Sequence, residues 1–149
     1  AMRLAIKYGR TEVVRLLLKD ERVDPSAGYN YAMRLAIKYG RTEVVRLLLK
    51  DERVDPSAGY NYAMRLAIKY GRTEVVRLLL SDKRIDPSVY NNEAIRLASE
   101  KGYIEIVKLL LADSRVDPSA DNNEAIRLAS KNGYVEIVKL ITLALENSK

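Results

Sequence analysis

AMRLAIKYGRTEVVRLLL, residues 1–18, is spelled again at residues 32–49 and a third time at residues 63–80. Looser versions follow: AIRLASEKGYIEIVKLLL from Ala94 and AIRLASKNGYVEIVKLI from Ala125. The starts at Ala1, Ala32, Ala63, Ala94 and Ala125 are each 31 residues apart. A fixed period of this length marks a repeat architecture, in which one unit cannot bury its apolar face alone and neighbouring copies cover one another. The units are residues 1–31, 32–62, 63–93, 94–124 and 125–149, and the first two are identical.

Each unit parses into two helices and a loop. In the second unit Asn30 is a predicted N-cap, because its side-chain oxygen can accept from a free N–H of the first turn. Asn61, Asn92 and Asn123 repeat that position. A short helix is expected over about Tyr31 to Tyr39, with Met33, Ala36 and Ile37 at core spacing. Ala36 and its equivalents are small, which lets neighbouring helices approach to about 8–10 Å. Gly40 falls where a helix ends in a left-handed residue, and Gly9, Gly71, Gly102 and Gly133 match it. The second helix is expected from about Thr42 to Asp51, with Val44, Val45, Leu47, Leu48 and Leu49 as its apolar face and Glu43 in its first turn. Glu43 and Arg46 are three apart and can pair. The loop RVDPSAGYN follows; Pro56 stops the helix, and Gly59 and its small neighbours suit a turn.

Composition narrows the function. Apolar residues make up 48% of the chain and charged residues 31%, with a net charge of +6. No apolar run approaches the ~18 residues of a membrane span. There is neither cysteine nor histidine. A disulfide framework and the usual zinc ligands are therefore missing. With no signal pattern, the expected location is cytoplasmic, or no native compartment for an engineered chain. Asp113, Asp117, Asp121 and Glu124 cluster near a loop but lack the ligand spacing of a calcium loop. Ser26 and Ser57 have no histidine base, and no phosphate-binding glycine motif occurs. Glu12, Glu43, Glu74, Glu105 and Glu136 recur once per unit and see one environment, whereas acid–base pairs need two. The expectation is a non-enzyme with no cofactor and no metal.

The runs YAMRLAI with GRTEVVRLLL, and EAIRLAS with GYIEIVKLLL or GYVEIVKLI, resemble the ankyrin repeat, and the likeness extends over nearly the whole chain. The resemblance implies an all-α solenoid of stacked helix–turn–helix units with projecting loops. The departures matter. The family's threonine slot holds Tyr31, Tyr62, Glu93 or Glu124. Its proline slot holds alanine, and its histidine slot holds Arg3, Arg34, Arg65, Arg96 and Arg127. The unit is also two residues shorter than the common form of about 33. The family's T-P-L-H hydrogen-bond network is thus not carried over, and an inter-unit hydrogen-bonding role is expected of Arg34 and its equivalents. A regular hairpin is not required of the loops.

The resemblance further implies a scaffold that binds a protein partner along the concave helix face and the loop tips. By position that surface takes Lys7 with Tyr8, Lys38 with Tyr39, Lys69 with Tyr70, and Lys101, while Tyr29, Tyr60 and Tyr90 lie at loop tips. Ten tyrosines with no Phe or Trp suit recognition, since tyrosine offers wide contact at small entropic cost. Tyrosines that merely pack between neighbouring units are the competing account. Each of the first three units holds six basic and four acidic residues, whereas the fourth holds four and six. The alternative function is nucleic-acid or acidic-ligand binding by this basic, tyrosine-bearing segment. Interspersed acids and the lack of a nucleic-acid motif favour protein. Exact duplication also fits an engineered or excised array with no dedicated partner. At the ends, Thr142 and the residues after it are expected to cap the last unit, with Leu143 and Leu145 folding back. The first unit presents the same outer face as internal units, so exposed apolar surface and end-to-end self-association are expected there.

Overall fold

A computed structural model describes residues 1–148 as two compact units, Ala1–Ile85 and a second that begins at Asp86. The described residues form ten helices and no strand. The first unit holds α1 (Met2–Lys7), α2 (Thr11–Lys19), α3 (Ala27–Lys38), α4 (Thr42–Lys50), α5 (Ala58–Lys69) and α6 (Thr73–Leu80). The second holds α7 (Val89–Lys101), α8 (Ile104–Leu111), α9 (Ala120–Lys131) and α10 (Val135–Asn147).

In the first unit α1 packs on α3 and α3 on α5, making a layer of first helices. Helices α2, α4 and α6 pack on one another as a second layer. The second unit repeats the pattern, α7 against α9 and α8 against α10. The core lies between the two layers. Met33, Ala36 and Ile37 are fully buried from α3, and Val45 and Leu48 from α4. Fully burying an aliphatic side chain of this size is worth about 1.5–3 kcal/mol. Ala36 and Ala67 have no exposed surface, as the close approach of neighbouring first helices demands. Gly9, Gly40, Gly71, Gly102 and Gly133 all lie at φ between 63° and 77°, the left-handed geometry expected after the first helix.

One expectation about the helix start needs correction. Asn30 is not an N-cap. It lies at φ 59°, ψ 43°, the third of three left-handed residues after Gly28 and Tyr29, whereas an N-cap needs extended backbone. The right-handed part of α3 begins only at Tyr31. The Asn30 side chain instead donates to the Asp55 carbonyl of the next repeat at 3.0 Å. In the second unit Asn92 accepts from the Asp117 N–H at 2.8 Å. These asparagines stitch repeat to repeat. Arg34, expected to bond between repeats, does so over a short distance, reaching back across the boundary onto the turn that closes repeat 1–31. Its Nη2 donates to the Gly28 carbonyl at 2.7 Å and its Nε to the Tyr29 carbonyl at 3.2 Å. The left-handed turn leaves those carbonyls without helical partners, and the arginine supplies donors to them.

Ahead of the turn, Asp24 accepts from both the N–H and the hydroxyl of Ser26, at 2.9 and 2.6 Å. The same Asp-Pro-Ser bracket recurs at Asp55, Asp86 and Asp117. The serine hydroxyls flagged by the sequence are therefore turn residues. The loop also carries a clamp. Arg53 forks onto Asp51 and donates to the carbonyls of Val23 and Leu18 in the preceding repeat, at 2.7 and 2.9 Å. Arg84 does the same to Val54 and Leu49.

Candidate functional site

The first helices of the first unit carry no Asp or Glu at all. Their cations are Arg3, Lys7, Arg34, Lys38, Arg65 and Lys69. Acids of this unit sit elsewhere: Glu12, Glu43 and Glu74 pair with Arg15, Arg46 and Arg77 on the second helices, each at 3.4 Å. Sequence position thus separates charge by face, and the first-helix face is left basic.

That face is organised by tyrosine. The Lys7, Lys38 and Lys69 ammonium groups lie 5.5, 5.7 and 5.7 Å from the ring centres of Tyr8, Tyr39 and Tyr70. Arg3 and Arg34 both approach the ring of Tyr31, at 5.7 and 5.2 Å, and Arg65 lies 5.8 Å from Tyr62. Such pairs are worth about 0.5–1 kcal/mol each when exposed. Lys7, Lys38, Lys69 and Tyr8 are exposed, while Tyr39 and Tyr70 are half-buried. Between α1 and α3 the surface dips into a groove of about 490 Å³ lined by Arg3, Leu4, Lys7, Tyr31, Lys38 and Tyr39.

The rows are held from below. Arg41 donates to the Lys7 carbonyl at 2.6 Å, and Arg72 to the carbonyls of Ile37 and Lys38 at 3.1 and 2.5 Å. These guanidiniums also meet the free carbonyls of a helix C-terminus, where positive charge is favoured. They cover the glycines beneath them, 3.2 Å from where a Cβ on Gly9 would lie and 3.1 Å from one on Gly40. In the second unit Tyr134 covers Gly102, and Asn132 donates to the Glu100 carbonyl at 3.1 Å.

Of the turn tyrosines, Tyr29 is 94% exposed, Tyr60 71% and Tyr90 49%. Tyr29 and Tyr60 share one repeat position; Tyr90 occupies the position of Gly28 and Gly59. All three are left-handed, at φ 54–56°. Lys101 is exposed at the end of α7, in the second unit. There the first helices carry acids, Glu93 and Glu124 half-buried and Glu100 and Asp121 exposed. Arg96 bonds Glu124 at 2.5 Å and lies 3.6 Å from Asp121, while still holding the carbonyls of Tyr90 and Asn91.

The Lys–Tyr pairs chosen from the sequence are therefore adjacent in space as well as in order. The inner row of Arg3, Tyr31, Arg34, Tyr62 and Arg65 was not singled out as a surface. A signal was available: Tyr31 and Arg34, like Tyr62 and Arg65, are three apart on one helix, the spacing of facing side chains.

Electrostatics in the loops is local. Hydrogen bonds from Arg53 and Arg84 hold the Asp51 and Asp82 carboxyls below the usual carboxylate range. The Ser26 and Ser88 hydroxyls do so for Asp24 and Asp86, and Arg115 for Asp113. The four carboxylates clustered near one loop face the protein's own donors: Asp113 meets Arg115, Asp117 meets Ser119, and Asp121 and Glu124 meet Arg96. No helix among the described residues is long and apolar enough to cross a membrane.

No curated protein matches the chain. Among solved structures, the ankyrin repeat domain of Bcl-3, titled a unique member of the IkappaB protein family, matches with a TM-score of 0.79 at 22% identity. The match covers 96% of this chain and 70% of that one, and at this identity it speaks to fold alone. The family model for ankyrin repeats in three copies matches residues 2–91 and again residues 66–148. With paired helices, left-handed glycines and bracketed loops recurring every 31 residues, the chain belongs to the ankyrin repeat family.

Proposed function

We propose that the chain is a non-catalytic scaffold that docks a protein partner on its first-helix face. The observation that carries this is the segregation of charge in the first unit: every acid is kept off α1, α3 and α5, and lysine–tyrosine pairs are presented outward. Lys7, Tyr8, Lys38, Tyr39, Lys69 and Tyr70 form the docking rows, with Tyr29 and Tyr60 at their rim. In the second unit Tyr90 and Lys101 take the corresponding part. Tyrosine is among the residue types that concentrate binding energy at protein interfaces, and the lysines beside it set the sign of charge that a partner must meet.

Nucleic acid is the weaker alternative. Single strands bind by stacking bases on open aromatic faces. Here the rings of Tyr8, Tyr31, Tyr39, Tyr62 and Tyr70 already have cations beside them. The test is selection of displayed peptides on the full chain, followed by rebinding to a Tyr39→Ala/Tyr70→Ala variant. Binding lost by at least about tenfold supports the face, and unchanged binding rejects it.

The first repeat also offers a surface for a second copy of the chain. Leu4, Val13 and Leu16 are exposed there, while Leu35 and Val44, the equivalents of the first two, are buried. Arg22 is 90% exposed where Arg53 and Arg84 grip a preceding repeat. End-to-end association would cover this surface. Sedimentation of wild type against Leu16→Glu checks it; a wild type that stays monomeric at high concentration rejects it.

A further inference from the structure

The second unit shows what the arginine in the family's histidine slot binds when a carboxylate is within reach. Glu124 occupies the position of Tyr31 and Tyr62, 28 residues after Arg96, and Arg96 Nη1 takes it at 2.5 Å. In the first unit the same relation places Tyr31 opposite Arg3, at 5.7 Å, and Tyr62 at the matching position after Arg34. Arg34 spends Nε and Nη2 on the Tyr29 and Gly28 carbonyls, as Arg96 spends its own on Asn91 and Tyr90. Arg34 Nη1, the counterpart of the atom that binds Glu124 in the other unit, meets no carboxylate among the described residues. Lys7, Lys38 and Lys69 lie beside tyrosine rings, with no ion pair to them among the described residues.

We infer that the first-helix face of the first unit docks an acidic polypeptide segment whose carboxylates take the place that Glu124 fills internally. This rests on the docking face proposed above and names its ligand. An extended acidic segment lying across α1, α3 and α5 would meet Arg3 and Lys7, then Arg34 and Lys38, then Lys69. Neighbouring first helices are spaced by about 8–10 Å, within the reach of carboxylates a few residues apart. The tyrosines serve as apolar walls that hold the cations in place and lower the dielectric around each pair. Polypeptide is favoured over nucleic acid because the rings carry cations and are not open platforms for bases.

The test uses the full chain and a fluorescein-labelled peptide of alternating Glu and Gly, read by anisotropy. Binding is expected, and it should weaken steeply between about 50 and about 300 mM salt. Tyr31→Glu/Tyr62→Glu imports the internal carboxylate of the second unit. It should weaken the peptide at least about tenfold while leaving the melting temperature equal or higher. Should that variant not fold, Lys7→Gln/Lys38→Gln/Lys69→Gln alters only exposed side chains and should give the same loss. Peptide affinity unchanged in the folded variants overturns the proposal, as does an oligothymidylate of equal charge binding more tightly than the peptide. Unbiased peptide selection separates the two levels. Neutral sequences that need Tyr39 and Tyr70 would remove the acidic ligand and keep the face, and selected sequences indifferent to those tyrosines would remove the face itself.

Discussion

Tyr29 lies at φ 56°, ψ 53° with almost its whole side chain in water. A left-handed conformation costs an ordinary L-residue about 1–2 kcal/mol, and Asn, which sits there as Asn91 and Asn122 in later repeats, pays less. Tyr29→Asn should therefore raise stability by about 0.5–1 kcal/mol in urea titration. If tyrosine is kept for contact, the same change should weaken a selected partner. A fall in stability would mean that the ring packs in a way its exposure denies. Glycines give a second contrast. A Cβ on Gly102 would lie 2.6 Å from the Tyr134 ring, while one on Gly133 would meet nothing within 4 Å. Both have φ 77°, so Gly133→Ala should show only the backbone strain, about 1 kcal/mol, and Gly102→Ala about 2–3 kcal/mol because the ring must move as well.

At the scale of the element, the loop clamp joins one repeat to the next. Arg84 donates to two carbonyls of the repeat before it and forks onto Asp82. Arg84→Ala should cost about 1–2 kcal/mol from the lost carbonyl bonds, after allowance for its partial exposure. Arg22, whose guanidinium reaches only Asp20, should be replaceable without measurable change in the urea midpoint. The pH dependence follows from Asp82, whose carboxyl is held low chiefly by the Arg84 hydrogen bond. A depressed folded pKa gives stability that is complete above the unfolded value of about 3.9 and fades as pH falls through the folded value. The stability gap between wild type and Asp82→Asn should thus be full at about pH 7 and close in strong acid; a gap independent of pH would exclude the ion pair as its source. Much of this level was legible beforehand. The period, the second helices and the helix-ending glycines follow from spacing and from residue types with one favoured geometry. The asparagine was misread because Asn suits both an N-cap and a left-handed turn, and local composition does not separate them. Arg34 bonds across the repeat boundary as expected, but only to the turn five and six residues before it, a local partner that the spacing of repeats does not specify. The clamp spans 30 and 35 residues, beyond any local pattern.

At the scale of the molecule, the exact identity of residues 1–31 and 32–62 makes a clean measurement possible. Deleting 32–62 joins Tyr31 to Ala63 and recreates the Tyr–Ala junction already present at Tyr31–Ala32, so no local sequence is new. What changes is the number of neighbour interfaces: one set of α1–α3, α2–α4, asparagine-to-loop and arginine-to-carbonyl contacts disappears. In a nearest-neighbour array stability is a sum over units and interfaces, so the shortened chain should still fold cooperatively with a lower melting temperature. Duplicating 32–62 once more should raise the melting temperature by the same interface. The deletion also removes Lys38 and Tyr39, so the acidic peptide should bind more weakly, and the duplication adds such a pair, so it should bind more tightly. Affinity that follows repeat number in step with stability would tie the docking face to stacking itself. Affinity indifferent to both changes would place the ligand outside the first-helix face, and a shortened chain that cannot fold would show that the repeats do not act as separable units.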